Sequence, residues 1–292
     1  MTDYTRKKRV PISTFSTQYR PILNGLAQVA VLEEFANVAV AEYTRPHQDP
    51  RERSAIGTIY KASMARIFKQ TTDELIPCLG WRGLMDYNQI SESVLAYQGH
   101  SIAEGDILVL SIRLASELLQ GKYAVAPATD PSCLLARHEV GLFTQLCALI
   151  SSLPGDHRSD HFNSHILPHS RGLVEAIGHR MAFEAAVSAS VDPELLALFE
   201  INCVMNDMSW YVENMGMTRA KLFEKEARAT SALLPRLKQL VESLGAKQYV
   251  TAPIVSQEQW EMFVHTLPAF RGEESNGVAQ DWVKVKNTDF QD

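Results

Sequence analysis

The apolar residues of this chain recur at helical spacing and almost nowhere alternate. Leu135, His138, Leu142, Leu146, Leu149 and Leu153 follow one another at intervals of three or four, as do Ile107, Leu110, Leu114 and Leu118. Ile22, Leu26, Val29, Ala36, Val40 and Tyr43 fall at intervals of three, four and seven. Side chains spaced in this way share one face of an α-helix. Prolines punctuate the segments, at Pro46, Pro50, Pro77, Pro127, Pro131, Pro154, Pro168, Pro193, Pro235 and Pro253, because a proline inside a helix removes a donor and clashes with the turn before it. Asp192 followed by Pro193 reads as an N-cap and first helical residue, and Gly121 and Gly245 stand where C-caps are expected. The one stretch resembling alternation lies between Tyr249 and Val255. The pattern predicts an all-α chain of about eight helices.

Composition narrows the class further. With 292 residues, 46% of them hydrophobic and a net charge of −6, the chain can bury most of its apolar surface, which excludes general disorder. Its richest apolar stretch, Leu26 to Tyr43, is broken by Glu33 and Glu34, so no membrane span is expected. The N-terminal basic residues are not followed by an apolar run, as a secretory signal requires. Cys78, Cys133, Cys147 and Cys203 form no CxxC pair, and four buried, reduced thiols in an intracellular protein are expected. Small residues and prolines from Val125 to Pro131 suggest a boundary between helical halves at 1–125 and 126–250. Residues 251–292 read as an extension whose polar end, Arg271 to Asp292, is expected to be mobile.

The chain has no GxxxxGK[ST] loop, no GxGxxG, no GxSxG and no HExxH, which removes the support for the corresponding NTPase and hydrolase chemistries. His157, His161, His165 and His169 would line one stripe of a continuous helix and so invite a metal. The Gly, Asp, Ser and Asn around them, with Pro168, argue for a polar connection instead, and no metal is expected. The cluster Arg6, Lys7, Lys8 and Arg9 has no aromatic platform and sits in an acidic chain, so it does not indicate a nucleic-acid partner. Glu104 and Gly105, in a short turn before the helix that begins near Ile107, are harder to explain structurally, whereas Asp106 is a natural N-cap.

The order FSTQY (Phe15 to Tyr19), an alanine-rich helix, CLGWRGL (Cys78 to Leu84), NQI (Asn88 to Ile90) and IAEGDILVL (Ile102 to Leu110) resembles the C-terminal helical part of the acyl-CoA dehydrogenases and acyl-CoA oxidases. The likeness is specific over residues 5–125 and looser over 130–245, which resembles the oxidases' additional helical domain. It implies that Glu104 is the base that removes the α-proton of an acyl-CoA thioester. It implies FAD as the cofactor, with Gly105 and Asp106 beside the adenosine, Gly80 and Gly83 at the glycine turn, and Arg6 or Arg9 with Gln18 as an arm toward a neighbouring subunit's FAD.

The function implied by this resemblance is that of an FAD-dependent oxidoreductase of the acyl-CoA dehydrogenase or oxidase kind, forming an α,β double bond in an acyl thioester. The glycine turn differs from the family's GGxGY, with Trp81 and Arg82 between its glycines and no tyrosine, which suggests a specialised substrate, such as an intermediate of secondary metabolism. No counterpart of the family's middle β-domain is recognisable, so a homodimer or a partner chain supplying that domain is expected. The alternative is a non-catalytic helical dimerisation or assembly module derived from such an enzyme. The C-terminus DFQD is not an SKL-type address, which makes the cytoplasm the expected location and the peroxisome the alternative.

Overall fold

The structure, a computed structural model, describes residues 2–3 and 8–268, with side chains from Val10 onward. Among these residues are twelve α-helices, joined by short 3-10 turns, and one antiparallel pair of two-residue strands, β1 (Thr2–Asp3) and β2 (Lys8–Arg9). The all-α class expected from the sequence is therefore observed. The described residues up to Tyr249 form one compact unit, and those from Val250 to Pro268 form a second. No helix among the described residues is long and apolar enough to cross a membrane.

Two helices of 29 residues, α1 (Ser16–Thr44) and α2 (Pro50–Cys78), are packed side by side in the first unit. At 1.5 Å per residue each is about 43 Å long. Asp49 caps α2 by accepting a hydrogen bond from the backbone N–H of Arg51 at 2.7 Å, with Pro50 as the first helical residue. Two prolines lie inside these helices instead of ending them. Pro77 occupies the last turn of α2, and Pro21 lies in the second turn of α1. Lacking an N–H, Pro21 leaves the Thr17 carbonyl without its usual helical donor, and the thiol of Cys78 lies 3.8 Å from that oxygen.

Next come α3 (Ile90–Ile102) and α4 (Ile107–Leu119), followed by α5 (Leu134–Ser152), the short α6 (Asp160–His165) and α7 (Ser170–Ser188). Then α8 (Pro193–Asn206), α9 (Met208–Met215), α10 (Arg219–Leu233) and α11 (Leu237–Ser243) complete the unit. Helix α7 is its axis, packing on α1, α2, α4, α5 and α8. It is buried almost all round, through Leu173, Val174, Ile177, Ala182 and Ala186, as expected of a helix with neighbours on every side. Helices on both sides of Val125–Pro131 share this core, α1 and α2 before it and α7 after it. In the second unit, Ser256 caps α12 (Gln257–Thr266), and Gln259 Nε2 donates to the Val250 carbonyl at 3.0 Å.

The faces of α4 and α5 are those read from the spacing, with Ile107, Leu114, Leu118, Leu135, His138 and Leu146 buried. The caps at Asp192, Gly121 and Gly245 are present, both glycines with positive φ. Helix α1 differs. Of the residues read as its apolar face Leu26 is buried, but Val29, Val40 and Tyr43 are exposed, and the buried face runs through Leu23, Ala27, Val31, Phe35 and Ala39. Alanine and valine surround this helix, so several faces satisfy the spacing, and the neighbours α2, α7 and α8 decide which one is buried. The thiols also need correction. All four are free, but only Cys203 is buried, while Cys78, Cys133 and Cys147 are half-buried near helix ends or the surface. Tyr249–Val255 contains a 3-10 turn, Pro253–Val255, where alternation suggested a strand. The stretch Arg271 to Asp292 lies outside the described residues.

Candidate functional site

Glu104 stands in the four-residue connection between α3 and α4, on the surface of the chain. Its φ is +58° and that of Gly105 is +110°. Positive φ is easily reached by glycine but uncommon for a glutamate, which has a Cβ to accommodate. Two contacts hold the chain there. Lys61, on α2, donates from Nζ to the carbonyl of Ala103 at 2.6 Å and to that of Gly105 at 2.8 Å, bracketing Glu104 between two fixed peptide groups. On the other side, Asp106 Oδ1 accepts from the backbone N–H groups of Leu108 at 2.9 Å and Val109 at 3.2 Å, fixing the start of α4. A Cβ on Gly105 would stand 3.2 Å from the side chain of Leu110, on top of its strained φ. Around this turn the surface is apolar, with Ile102, Leu108 and Val109 all more than half exposed.

Lys61 is the residue whose part in this turn the sequence did not disclose. Its substitution by methionine keeps the aliphatic stem and removes both hydrogen bonds. Amide exchange at Leu108 and Val109, whose N–H groups the Asp106 carboxylate accepts, is then expected to accelerate by about tenfold or more, while global stability falls by about 1 kcal/mol or less, since the lost bonds are surface ones. Unchanged exchange would mean that the turn holds its shape without the lysine.

The glycine turn lies at the far end of α2. From Lys61 to Cys78 the helix runs about 25 Å at 1.5 Å per residue, so no small group touches both places. Gly80 has φ +61°, and a Cβ there would meet nothing within 4 Å, which leaves the backbone open to approach. Gly83 is different: it is buried, and a Cβ would stand 2.8 Å from the Ile76 carbonyl, so its glycine is required by the packing of the chain on itself. Asn88 secures this turn by donating from Nδ2 to the Arg82 carbonyl at 2.8 Å, and Ser91 Oγ donates to the Gly83 carbonyl at 2.9 Å. Trp81 and Leu84 project outward, 64% and 66% exposed.

Gln18 is half-buried in the first turn of α1, whose Thr17 is next to Cys78 at the same end of α2. The structure thus brings Gln18 toward the glycine turn and leaves Glu104, Gly105 and Asp106 as a separate group. Arg6 lies outside the described residues, and of Arg9 only the backbone, in β2, is described. The four histidines from His157 to His169 do not form a stripe. His161 and His165 are in α6, His169 is in a 3-10 turn, and all four are exposed. No group of three metal-ligating side chains occurs among the described residues.

Comparison with solved structures places this architecture. Over 99% of this chain and 52% of the other, it superposes on acyl-CoA oxidase-1 of Caenorhabditis elegans, solved in complex with FAD and ATP, with a TM-score of 0.80 at 11% identity. Acyl-CoA oxidase 3 of Yarrowia lipolytica matches with a TM-score of 0.78 at 13% identity, over all of this chain and 52% of that one. Acyl-CoA oxidase 1 of Arabidopsis thaliana gives 0.69 at 11% identity, over 94% of this chain and 52% of the other. The chain therefore spans about half the length of the solved oxidases it matches and shares their fold over that half. No family model matches the sequence, and no curated protein matches it.

Proposed function

We propose that this chain supplies the catalytic-base segment of an FAD-dependent enzyme that oxidises acyl-CoA thioesters, with Glu104 as the base. The observation that carries this reading is the conformation of the Glu104 turn: a non-glycine residue at positive φ, fixed on one side by Lys61 and on the other by the cap of α4. Strain of that kind persists only where the surroundings enforce it, and it gathers at functional sites. The oxidase fold supports the same assignment.

A carboxylate open to water is a weak base for a carbon acid, because its ordinary pKa is near about 4.3. Glu104 therefore acts only when a further segment, of this protein or another, covers it and excludes water. The exposed Ile102, Leu108 and Val109 beside it suit such cover. FAD, when bound, accepts the hydride from the substrate's β-carbon. Of this chain's residues, Gly80 fits a place beside that group, since its backbone faces open space, and Gln18 stands at the same end of the bundle. Asp106 is committed to the α4 cap and serves by fixing the Glu104 turn. The outward Trp81 and Arg82 reshape the turn's surface, in keeping with a specialised acyl substrate.

In an assembly that processes acyl-CoA, Glu104→Gln is expected to lower the rate of α-proton exchange into deuterated water by at least about 100-fold. The helical fold should be unchanged, because the residue is exposed. Undiminished exchange would remove Glu104 from the mechanism.

A second reading, a non-catalytic assembly module, has its own support in the open position of Glu104 and the exposed Trp81, Leu84 and Leu95. Absorption separates the two. An assembly that carries flavin is yellow and releases FAD on denaturation, and one that stays colourless with added FAD is a module.

A further inference from the structure

Between α2, α5, α7 and α8 lies a cavity of about 430 Å³, within the size range of small-molecule sites, about 300–1,000 Å³. It shares no lining residue with the Glu104 turn or the glycine turn. One part of its wall is apolar, made by Leu142, Leu146 and Leu149 of α5. Another carries Arg66 of α2, the one arginine or lysine in the lining among the described residues.

The chain leaves Arg66 without a hydrogen bond. Its Nε stands 3.9 Å from one Glu175 oxygen, beyond hydrogen-bond distance, and its side chain is 40% exposed, so its N–H donors are open to solvent and to solutes. Glu175 is meanwhile held by Arg171, which donates to its other oxygen at 2.7 Å. Two guanidiniums thus share one carboxylate, and one positive charge is in excess. Asp207 is the other anion of the lining, and it is compensated elsewhere. One of its oxygens bonds the His138 ring at 3.0 Å, and the other accepts from Ser209 Oγ at 3.0 Å and from the backbone N–H of Trp210 at the start of α9. Burial pushes the pKa of both His138 and His179 down, so these two rings add no charge. Of the amides, Gln145 Oε1 accepts from Trp210 Nε1, and Asn206 Oδ1 accepts from Gln70 Nε2.

We propose that this cavity binds a medium-chain carboxylic acid in its anionic form, the carboxylate on the Arg66 guanidinium and the hydrocarbon chain along Leu142, Leu146 and Leu149. A carboxylate is selected over a neutral acceptor because a planar guanidinium meets both of its oxygens at once, through charge-assisted hydrogen bonds. It also brings the local count to two carboxylates against two guanidiniums. The leucines select the apolar chain, which leaves water on binding. The site is separate from Glu104, so it stands or falls independently of the function proposed above.

Hexanoate, hexanol and acetate test this on the full chain with isotope-labelled leucine methyl groups, since hexanoate has both features and each of the others only one. Hexanoate is expected to shift the Leu146 and Leu149 signals saturably and to bind at least about tenfold more tightly than either of the others. In Arg66→Met, which keeps the aliphatic stem, that advantage over hexanol should disappear. In Glu175→Gln, which leaves both guanidiniums without their anion, hexanoate should bind about two- to fivefold more tightly and hexanol should be unaffected. The proposal is overturned by the absence of a saturable shift with millimolar hexanoate, or by a preference for hexanoate over hexanol that survives Arg66→Met. Should that variant fail to fold, the unaltered chain decides by itself: hexanol binding as tightly as hexanoate would equally overturn it.

Discussion

Replacement of Arg180 by methionine is expected to lower the stability of the chain by about 3–5 kcal/mol, the cost of leaving buried carboxylates without their counter-ion. Arg180 is 2% exposed on the central helix α7. Its guanidinium donates to Glu139 of α5 from Nε at 2.6 Å and from Nη2 at 3.1 Å, to Glu184 from Nη1 at 2.8 Å, and to the Ala126 carbonyl from Nη2 at 2.9 Å. Burial works against the charge, but the two carboxylates outweigh it and hold the guanidinium ionised. Glu184 in turn accepts from the backbone N–H of Thr129 at 2.6 Å. The network thus fastens the Val125–Pro131 segment to α7 at two points, and α5 at a third. In a unit of this size the loss corresponds to roughly 10 °C in Tm, and chemical unfolding of the purified chain measures it directly. Arg180→Met combined with Glu139→Met should recover much of it, since apolar groups of similar volume can replace a buried pair at little cost. A midpoint within about 1 kcal/mol of the unaltered chain would mean that water reaches the network and screens it.

That network also marks where the sequence stops being informative. The phasing of α4 and α5 could be read because each has one apolar face and a polar remainder, so only one rotation buries the leucines. Helix α1 could not, because alanine and valine occur all round it and the choice of face belongs to its neighbours. The segment from Val125 to Pro131 has the composition of a linker, yet an arginine 54 residues beyond Ala126 bonds its carbonyl. No local pattern announces a contact of that range. The same holds for the candidate sites. The Glu104 turn is contiguous in sequence, so its glycine, its cap and the helix after it were visible together, whereas Lys61, which sets its shape, comes from another helix. The cavity lined by Arg66, Leu146, Glu175 and Cys203 draws on four helices, and no local stretch of sequence announces it.

Close contact between α2 and α7 gives the last large effect, and Gly178 controls it. A Cβ added at Gly178 would stand 1.8 Å from Ser63 Oγ and 3.3 Å from Ile59 Cγ2. Neither neighbour has room to yield. Ser63 is wholly buried, its hydroxyl donates to the Ile59 carbonyl at 2.8 Å, and Ile59 is itself buried. Gly178→Ala must therefore push the two helices apart or drive Ser63 from its rotamer, against the small gain in helix propensity that alanine brings. The expected loss is about 2–3 kcal/mol. Ser63→Ala on its own should cost under about 1 kcal/mol, since the hydroxyl bonds within its own helix and the carbonyl keeps its helical donor. Together the two substitutions should be far less harmful than Gly178→Ala alone, because removing Oγ leaves Ser63 Cβ, 3.2 Å from the new methyl group, as the nearest Ser63 atom. This coupling, of at least about 1 kcal/mol in a double-mutant cycle of unfolding free energies, is the diagnostic quantity. Additive effects would show that Ser63 does not set the separation of α2 and α7, and the strain of Gly178→Ala would then have to fall on Ile59.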